Sequence, residues 1–310
     1  MSELNLREAD RLEVTVLVDN YTDALLLQNT DVVKRPRSPP PNVLLAEHGL
    51  SCLLKVFVGS EEHVVLMDTG VSATCLFHNC DVLKINLGNV ESVVISHGHF
   101  DHFGALSEFL NRATERIPLT IHPDAFLERR LNIPGGRIVY LPTLDEAAIN
   151  ENEVELHKAK GATTLASDLI LVSGEVQRVT DFEKGFPLAE AKIDDDWVVD
   201  PFLDDQGVGI KVKGRGLVVI GGCSHSGIIN TVKHVQEVAQ MSKVHAVLGG
   251  FHLTGSNEPI IGTTIEEMRK MDPDFVVPTH CTGWKAINQF AEAMPDQFLL
   301  NTVGTTYVFQ

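Results

Sequence analysis

His97-Gly98-His99-Phe100-Asp101-His102 follows directly on a β-rich run over 90–95. That run reads as a buried strand, so four ligand-type side chains leave one strand end within six positions. Imidazoles of His97 and His99 suit a first divalent ion, provided the backbone turns so that positions i and i+2 converge. Gly98 permits such a turn. The Asp101 carboxylate and the His102 imidazole suit a second ion close by. Burying four ionisable groups without partners is costly, which disfavours histidines that merely pack or cap. Asp101 is also the catalytic candidate, as a ligand or as a proton acceptor where its metal is absent.

Outward from this segment, short β-branched runs alternate with helical periodicity. Strands are expected over 12–18, 52–58, 64–67, 119–122, 208–212, 217–220, 244–248, 275–277 and 298–309, the last interrupted by Gly304. Helices are expected over 73–83, 105–112, 228–240, 264–271 and 284–293, with a short one near 124–130. Two halves that each run from strands into strand–helix alternation predict an α/β fold. It is a four-layer αββα sandwich, with two sheets face to face and helices outside. We expect one domain over 1–310, with two irregular segments: a proline-rich loop over 29–42, and an acidic loop insertion over about 180–206, read as a mobile lid over the site.

The sequence holds 310 residues with a net charge of −17. A field of that sign repels nucleic acid and anionic lipid, so neither is an expected partner. Five cysteines at irregular spacing do not form a disulfide framework. No run reaches the ~18 apolar residues of a membrane span, and the polar start of the chain lacks a signal pattern. A cytoplasmic location is the default expectation. There is no Gly-x-Ser-x-Gly elbow, Walker loop or dinucleotide fingerprint.

The His-x-His-x-Asp-His segment resembles the hallmark of the metallo-β-lactamase superfamily. Met67-Asp68-Thr69-Gly70 is similar to that superfamily's strand-end turn, where Asp68 either caps the turn or orients a metal-binding histidine. Ser173 to Arg178, Gly222-Cys223-Ser224-His225-Ser226-Gly227, Gly249-Gly250-Phe251-His252 and Pro278-Thr279-His280-Cys281 look like one branch. That branch contains the dihydropterin–ribofuranosylaminobenzene phosphate synthases and metal-dependent hydrolases. The resemblance implies one or two divalent transition metal ions: zinc, iron or manganese.

His225, His252 and His280 each follow a buried strand and precede a helix, so the sheet delivers them to one edge. We expect His225 and His280 as ligands and His252 less so. The usual bridging aspartate has no counterpart, since the strand over 217–220 runs into Gly-Gly-Cys-Ser-His and the hairpin opens on Asp204-Asp205-Gln206. Either His225 takes the bridging place, or it is the third histidine and His252 stands near the bridge. Cys223 and Cys281 sit near these histidines and could bind a soft metal as thiolates, but their strand and small-residue neighbours favour packing thiols.

Helix starts at Ser226 and Thr282 are expected to offer free amides to an anion, unless the two side chains only cap their helices. Lys285 and Arg178 add charge, and Trp284 and Phe251 offer flat faces. The expected partner is therefore a small anionic substrate, phosphorylated in one reading. Three functions fit: hydrolysis of an ester, lactone or phosphoester by metal-activated water; transfer joining a dihydropterin diphosphate to an aminobenzene ribofuranosyl phosphate; or metal binding or redox chemistry without turnover.

Overall fold

A computed structural model describes residues 4–37, 40–113, 115–151 and 154–310. Residues 1–3 of the expected polar start, and Ser38 and Pro39 of the expected loop over 29–42, lie outside them.

Period-two alternation on strands apolar on both faces builds three cores. In Gly216–Gly221, Val218 and Ile220 point between two sheets, while Leu217 and Val219 face helices. In Arg11–Val18, Leu12, Val14 and Val16 join the same central core, and Leu17 packs on the opposite side. Each such side chain contributes roughly 1.5–3 kcal/mol on full burial. A one-residue slip would exchange the two faces of a strand, so register is strongly specified.

One sheet has eight strands, with Ser92–Val94 paired parallel to both Glu61–Met67 and Pro118–Ile121. The second has seven, and its strands Gly216–Gly221, Val244–Gly250 and Phe275–Thr279 run parallel. Helices Ala73–Leu83 and Leu106–Arg112 cover the outer face of the first sheet. Ile228–Ala239, Ile261–Met271 and Trp284–Ala293 cover the second. The architecture is the four-layer αββα sandwich expected. Among the described residues, no helix is long and apolar enough to cross a membrane.

The acidic segment over 180–206 is not a loop along its length. Ala189–Ile193 and Asp196–Val199 form a hairpin that joins a third, four-stranded sheet through Arg129–Ile133. The signal lay in the alternation Ala-Glu-Ala-Lys-Ile before Asp194 and Asp195. Both aspartates take positive φ (50° and 68°), as a two-residue hairpin turn of the primed type requires. The short helix expected near 124–130 is likewise only a 3₁₀ turn, Pro123–Phe126, before the strand Arg129–Ile133. Over 298–309 only Thr306–Phe309 is strand; Gly304, at φ 84°, turns the chain before it.

The parallel strands decide where function sits. Glu61–Met67 and Ser92–Val94 deliver Asp68 and His97 at their C-terminal ends. Gly216–Gly221, Val244–Gly250 and Phe275–Thr279 deliver Cys223 and His225, His252, and His280 at theirs. The two sheets thus bring their C-terminal strand ends together, the usual crevice for ligands in α/β folds.

Candidate metal centre

Asp68 organises the first half of the site. Its Oδ1 accepts from Ser96 N–H (2.7 Å), and its Oδ2 accepts from Ser96 Oγ–H (2.7 Å) and His102 Nδ1–H (2.6 Å). With the serine proton committed to Asp68, Ser96 Oγ accepts from His97 Nδ1–H at 3.0 Å. His280 Nδ1–H donates to Asn20 Oδ1 at 3.3 Å. Each contact places the proton of His97, His102 or His280 on Nδ1 and leaves a lone pair on Nε2. Asp68 is therefore more than a turn residue.

Those lone pairs converge in two groups. His97, His99 and His225 bring one nitrogen each to within 4.8 Å of one another, with His99 Nδ1 and His225 Nε2 at 3.1 Å. His97 Nε2 is buried without a hydrogen-bond partner, as are the far nitrogens of His99 and His225. The second group is Asp101, His102, Cys223 and His280. Cys223 Sγ lies 3.2 Å from His102 Nε2 and 3.3 Å from His280 Nε2. Asp101 Oδ2 lies 3.3 Å from His280 Nε2 and 3.8 Å from His102 Nε2.

Bonds of about 2.0–2.3 Å to one tetrahedral ion put donor atoms roughly 3.3–3.8 Å apart. Four donor–donor distances of the second group, 3.2–3.8 Å, lie close to that spacing, and its mixed N, O and S donors suit a divalent first-row ion. The residues present fit a metal in both places.

Of the two alternatives left open by the residues, neither is met in full: His225 groups with His97 and His99, but His252 does not stand at the second group. Cys223, for which packing was the favoured of two readings, stands with Asp101, His102 and His280. Cys281 does pack, its Sγ donating to Cys223 O at 3.5 Å. His252 belongs to neither group; its ring lies 4.3 Å from that of His225.

Electrostatics favour a cation over protons. Burial, reinforced by neighbouring imidazoles, pushes His97 and His225 well below the usual imidazole range. Burial, with Arg129 nearby, brings His99 down to about 3. Neutral rings are what a metal needs. Burial opposes charge on His102, but Asp68 and Asp101 outweigh it and raise its pKa. The same negative charge favours a metal at Nε2. Burial opposes ionisation of Asp101 too, yet His102 and His280 hold its carboxyl far below the carboxylate range. Cys223 is held as a thiol by burial and by Cys281, a preference that a bound cation reverses.

Asp204-Asp205-Gln206, which has no histidine to offer, stitches the half-sites together. Asp204 Oδ2 accepts from Gly98 N–H (2.7 Å) and Asp205 Oδ2 from Ser226 N–H (2.8 Å). Gln206 Nε2 donates to Ile95 O at 2.9 Å. Beneath them Arg129, itself buried, pairs with Asp200 (2.7 Å) and Asp204 (2.8 Å). Gly98 proves necessary for a different reason from the one expected: a Cβ there would strike the Ala125 carbonyl. Arg129, Asp200 and Asp204 gave no sequence signal for these contacts, because their partners are 71 to 106 positions away. His48 was equally silent. It stands at the mouth of the second group, mostly exposed, with Nε2 3.6 Å from Asp101 Oδ2.

The expected substrate contacts separate. Phe251 is 2% exposed and packs on Phe290, so it is core and offers no free face. Thr282 is buried, accepting from Phe251 N–H and donating to Thr279 O. Ser226 is buried as well, and Gly227 rather than Ser226 caps the helix. Lys285 pairs with Glu258 at 2.8 Å, and Arg178 donates to Pro201 O at 3.0 Å. Trp284 is 72% exposed and lines a cavity of about 250 Å³ beside Asn20, Tyr21 and His280.

The helix start expected to hold a ligand anion is filled by the chain itself. Glu183 accepts from Ile229 N–H and Asn230 N–H, both at 2.9 Å. Burial pushes its carboxyl from the ordinary 4.5 up to about 7, against the pull of those amides. Between pH 4.5 and about 7 the folded chain therefore keeps a proton that the unfolded chain has released. The stability this contributes is full below that window and lost as pH rises through it. Glu183→Gln cannot titrate, so its stability should fall less over the same window. Urea unfolding of both proteins at several pH values checks this, and parallel pH profiles would refute it.

The profile of the metallo-β-lactamase superfamily matches residues 56–232. The 7,8-dihydropterin-6-methyl-4-(β-D-ribofuranosyl)-aminobenzene-5'-phosphate synthase of Methanocaldococcus jannaschii is 29% identical, over 95% of this chain and 96% of its own. Among solved structures, Tm1679, described as a metal-dependent hydrolase of the β-lactamase superfamily, superposes with a TM-score of 0.74 at 24% identity. That match covers 95% of this chain and 98% of Tm1679. The metallo-β-lactamase fold protein YhfI from Bacillus subtilis reaches 0.52 at 12% identity, covering 97% and 100%.

Proposed function

Because this chain belongs to the metallo-β-lactamase superfamily, we propose that it is a metal-dependent hydrolase acting on an ester, lactone or phosphoester bond of a small anionic substrate. The observation that carries this reading is the pair of converging donor groups at one strand edge, His97/His99/His225 and Asp101/His102/Cys223/His280. Ions held there supply Lewis acidity and a water made nucleophilic at neutral pH.

The chain's own residues do the rest. Asp68, Ser96 and Asn20 fix which nitrogen of His97, His102 and His280 faces inward. Asp101 stays ionised and contributes negative charge that favours a cation. Asp204, Asp205 and Gln206 hold the two loops in register, so the donors are positioned before substrate arrives.

A second reading is transfer, in which the amine nitrogen of an aminobenzene bonds to the methylene carbon of a dihydropterin and loses a proton as diphosphate leaves. What favours it is the similarity to the archaeal synthase along nearly the whole of both chains.

One experiment separates the two. Metal-loaded protein is incubated in ¹⁸O-water with a phosphomonoester, a phosphodiester and a lactone, and in parallel with a dihydropterin diphosphate plus an aminobenzene ribofuranosyl phosphate. Label in a cleaved product supports hydrolysis. A pterin–aminobenzene adduct joined through the amine nitrogen, formed with release of diphosphate and without labelled cleavage products, supports transfer. Neither product from fully loaded protein overturns both.

A further inference from the structure

Two histidines beside the donor groups belong to neither of them, and their surroundings are alike. His48 Nδ1 faces Asn20 Nδ2 at 3.1 Å. His252 Nδ1 faces Asn257 Nδ2 at 3.4 Å. Neither amide can be turned around. Asn20 Nδ2 also donates to His280 O (3.0 Å), and Asn257 Nδ2 donates to His252 O (3.0 Å) and Gly185 O (3.2 Å). Backbone carbonyls only accept, so the nitrogen of each amide must point this way. A proton on Nδ1 would then set hydrogen against hydrogen. Both imidazoles therefore carry the proton on Nε2.

Those Nε2–H groups have no acceptor within hydrogen-bond distance among the described residues. The nearest to His48 is Asp101 Oδ2 at 3.6 Å, too far for a hydrogen bond. His48 stands beside the second donor group, its ring centroid 5.0 Å from that of His280. His252 stands beside the first, 4.3 Å from His225.

Both are held in place. Glu47 accepts from Val71 N–H and Ser72 N–H, each at 2.9 Å, and Leu50 N–H donates to Asp101 O at 3.1 Å. This fixes the backbone of His48 while its side chain stays 64% exposed. His252 sits at φ 44°, a left-handed conformation that a non-glycine residue adopts at a cost, which aims it away from its core neighbours Phe251 and Leu253.

We propose that His48 and His252 are substrate-binding residues. Their Nε2–H groups donate from either flank of the metal centre to a phosphoryl oxyanion of the substrate. In a chain of net charge −17 an anion needs such local donors, and neutral imidazoles supply them without adding a charge to be buried. The proposal rests on the metal-dependent reading above and names the chemistry its substrate presents.

The test measures binding rather than turnover, so its outcome is independent of whether hydrolysis or transfer is the reaction. Inorganic phosphate is titrated calorimetrically into metal-loaded protein, and metal per chain is measured on the same samples. His48→Ala and His252→Ala are each expected to weaken phosphate binding about ten- to a hundred-fold, the effect of losing one hydrogen bond to a charged group. Metal content should not change. His48→Gln, which keeps an N–H donor on an exposed residue, should recover most of the affinity. Asn257→Leu, which keeps His252 but frees its tautomer, should lose part of it.

The proposal is overturned if wild-type protein binds no phosphate or if His48→Ala binds it as tightly as wild type. It is overturned too if metal is lost along with affinity, for His48 would then be acting through Asp101.

Discussion

Alanine at position 225 should strip the metal held with His97 and His99, whereas alanine at 252 should leave it bound. His225 Nε2 lies 3.1 Å from His99 Nδ1 within the three-histidine group, and no other described His, Cys, Asp or Glu completes that group. Removing a partner that merely orients a ligand already costs roughly 10–100-fold in affinity or activity. Removing a ligand should therefore cost more than about 100-fold, because two imidazoles remain on an ion that prefers four donors. His252 is in neither group and should affect only what binds beside the metal. Elemental analysis of both variants, purified without chelator, settles the matter. Full metal in His225→Ala with depletion in His252→Ala would reverse the assignment.

Cys223→Ala should remove the second ion and leave the first. Its sulfur bridges the space between His102 Nε2 and His280 Nε2, and the other oxygen or sulfur donor of that group is Asp101. Metal content should fall from about two ions per chain to about one, since soft thiolate donors hold late first-row ions strongly. Cobalt-substituted wild type should show a thiolate-to-metal absorption band that Cys223→Ala lacks and Cys281→Ala keeps. Binding of that ion must also release a proton, because burial holds the free thiol protonated. An unchanged spectrum and stoichiometry in Cys223→Ala would return this cysteine to the packing role that its sequence neighbours suggested.

Much of this protein was written locally. Val218 and Ile220 against Leu217 and Val219 specify a strand apolar on both faces, and repetition of that pattern specifies stacked layers. The segment from His97 to His102 reads as a metal motif from its own residues, since all four donor-type side chains follow one strand end. Helix Trp284–Ala293 and strand Val208–Val212 fall where periodicity put them, because apolar spacing and turn residues act over a few positions.

What failed was of another kind. The segment over 180–206 reads as a loop because its hairpin strands carry acidic residues and find their third strand at Arg129–Ile133, some 60 positions earlier. Phe251 reads as a free ring because nothing in its neighbours announces Phe290. Glu183 fills a helix start 46 residues downstream that local sequence leaves open to a ligand.

By itself, then, the sequence determined the layered α/β class, the donor segment at 97–102, and the delivery of His225, His252 and His280 to one sheet edge. These follow from periodicities of two and 3.6 and from residue chemistry, which need no knowledge of distant contacts. Only the tertiary structure decided that His225 joins His97 and His99, that Cys223 stands among Asp101, His102 and His280, and that His252 stands aside. Ligation is a matter of a few tenths of an ångström between atoms from different strands. Those distances are set by packing two sheets and by buried contacts such as Asp204 with Gly98 and Asp68 with His102, whose partners are 106 and 34 positions apart.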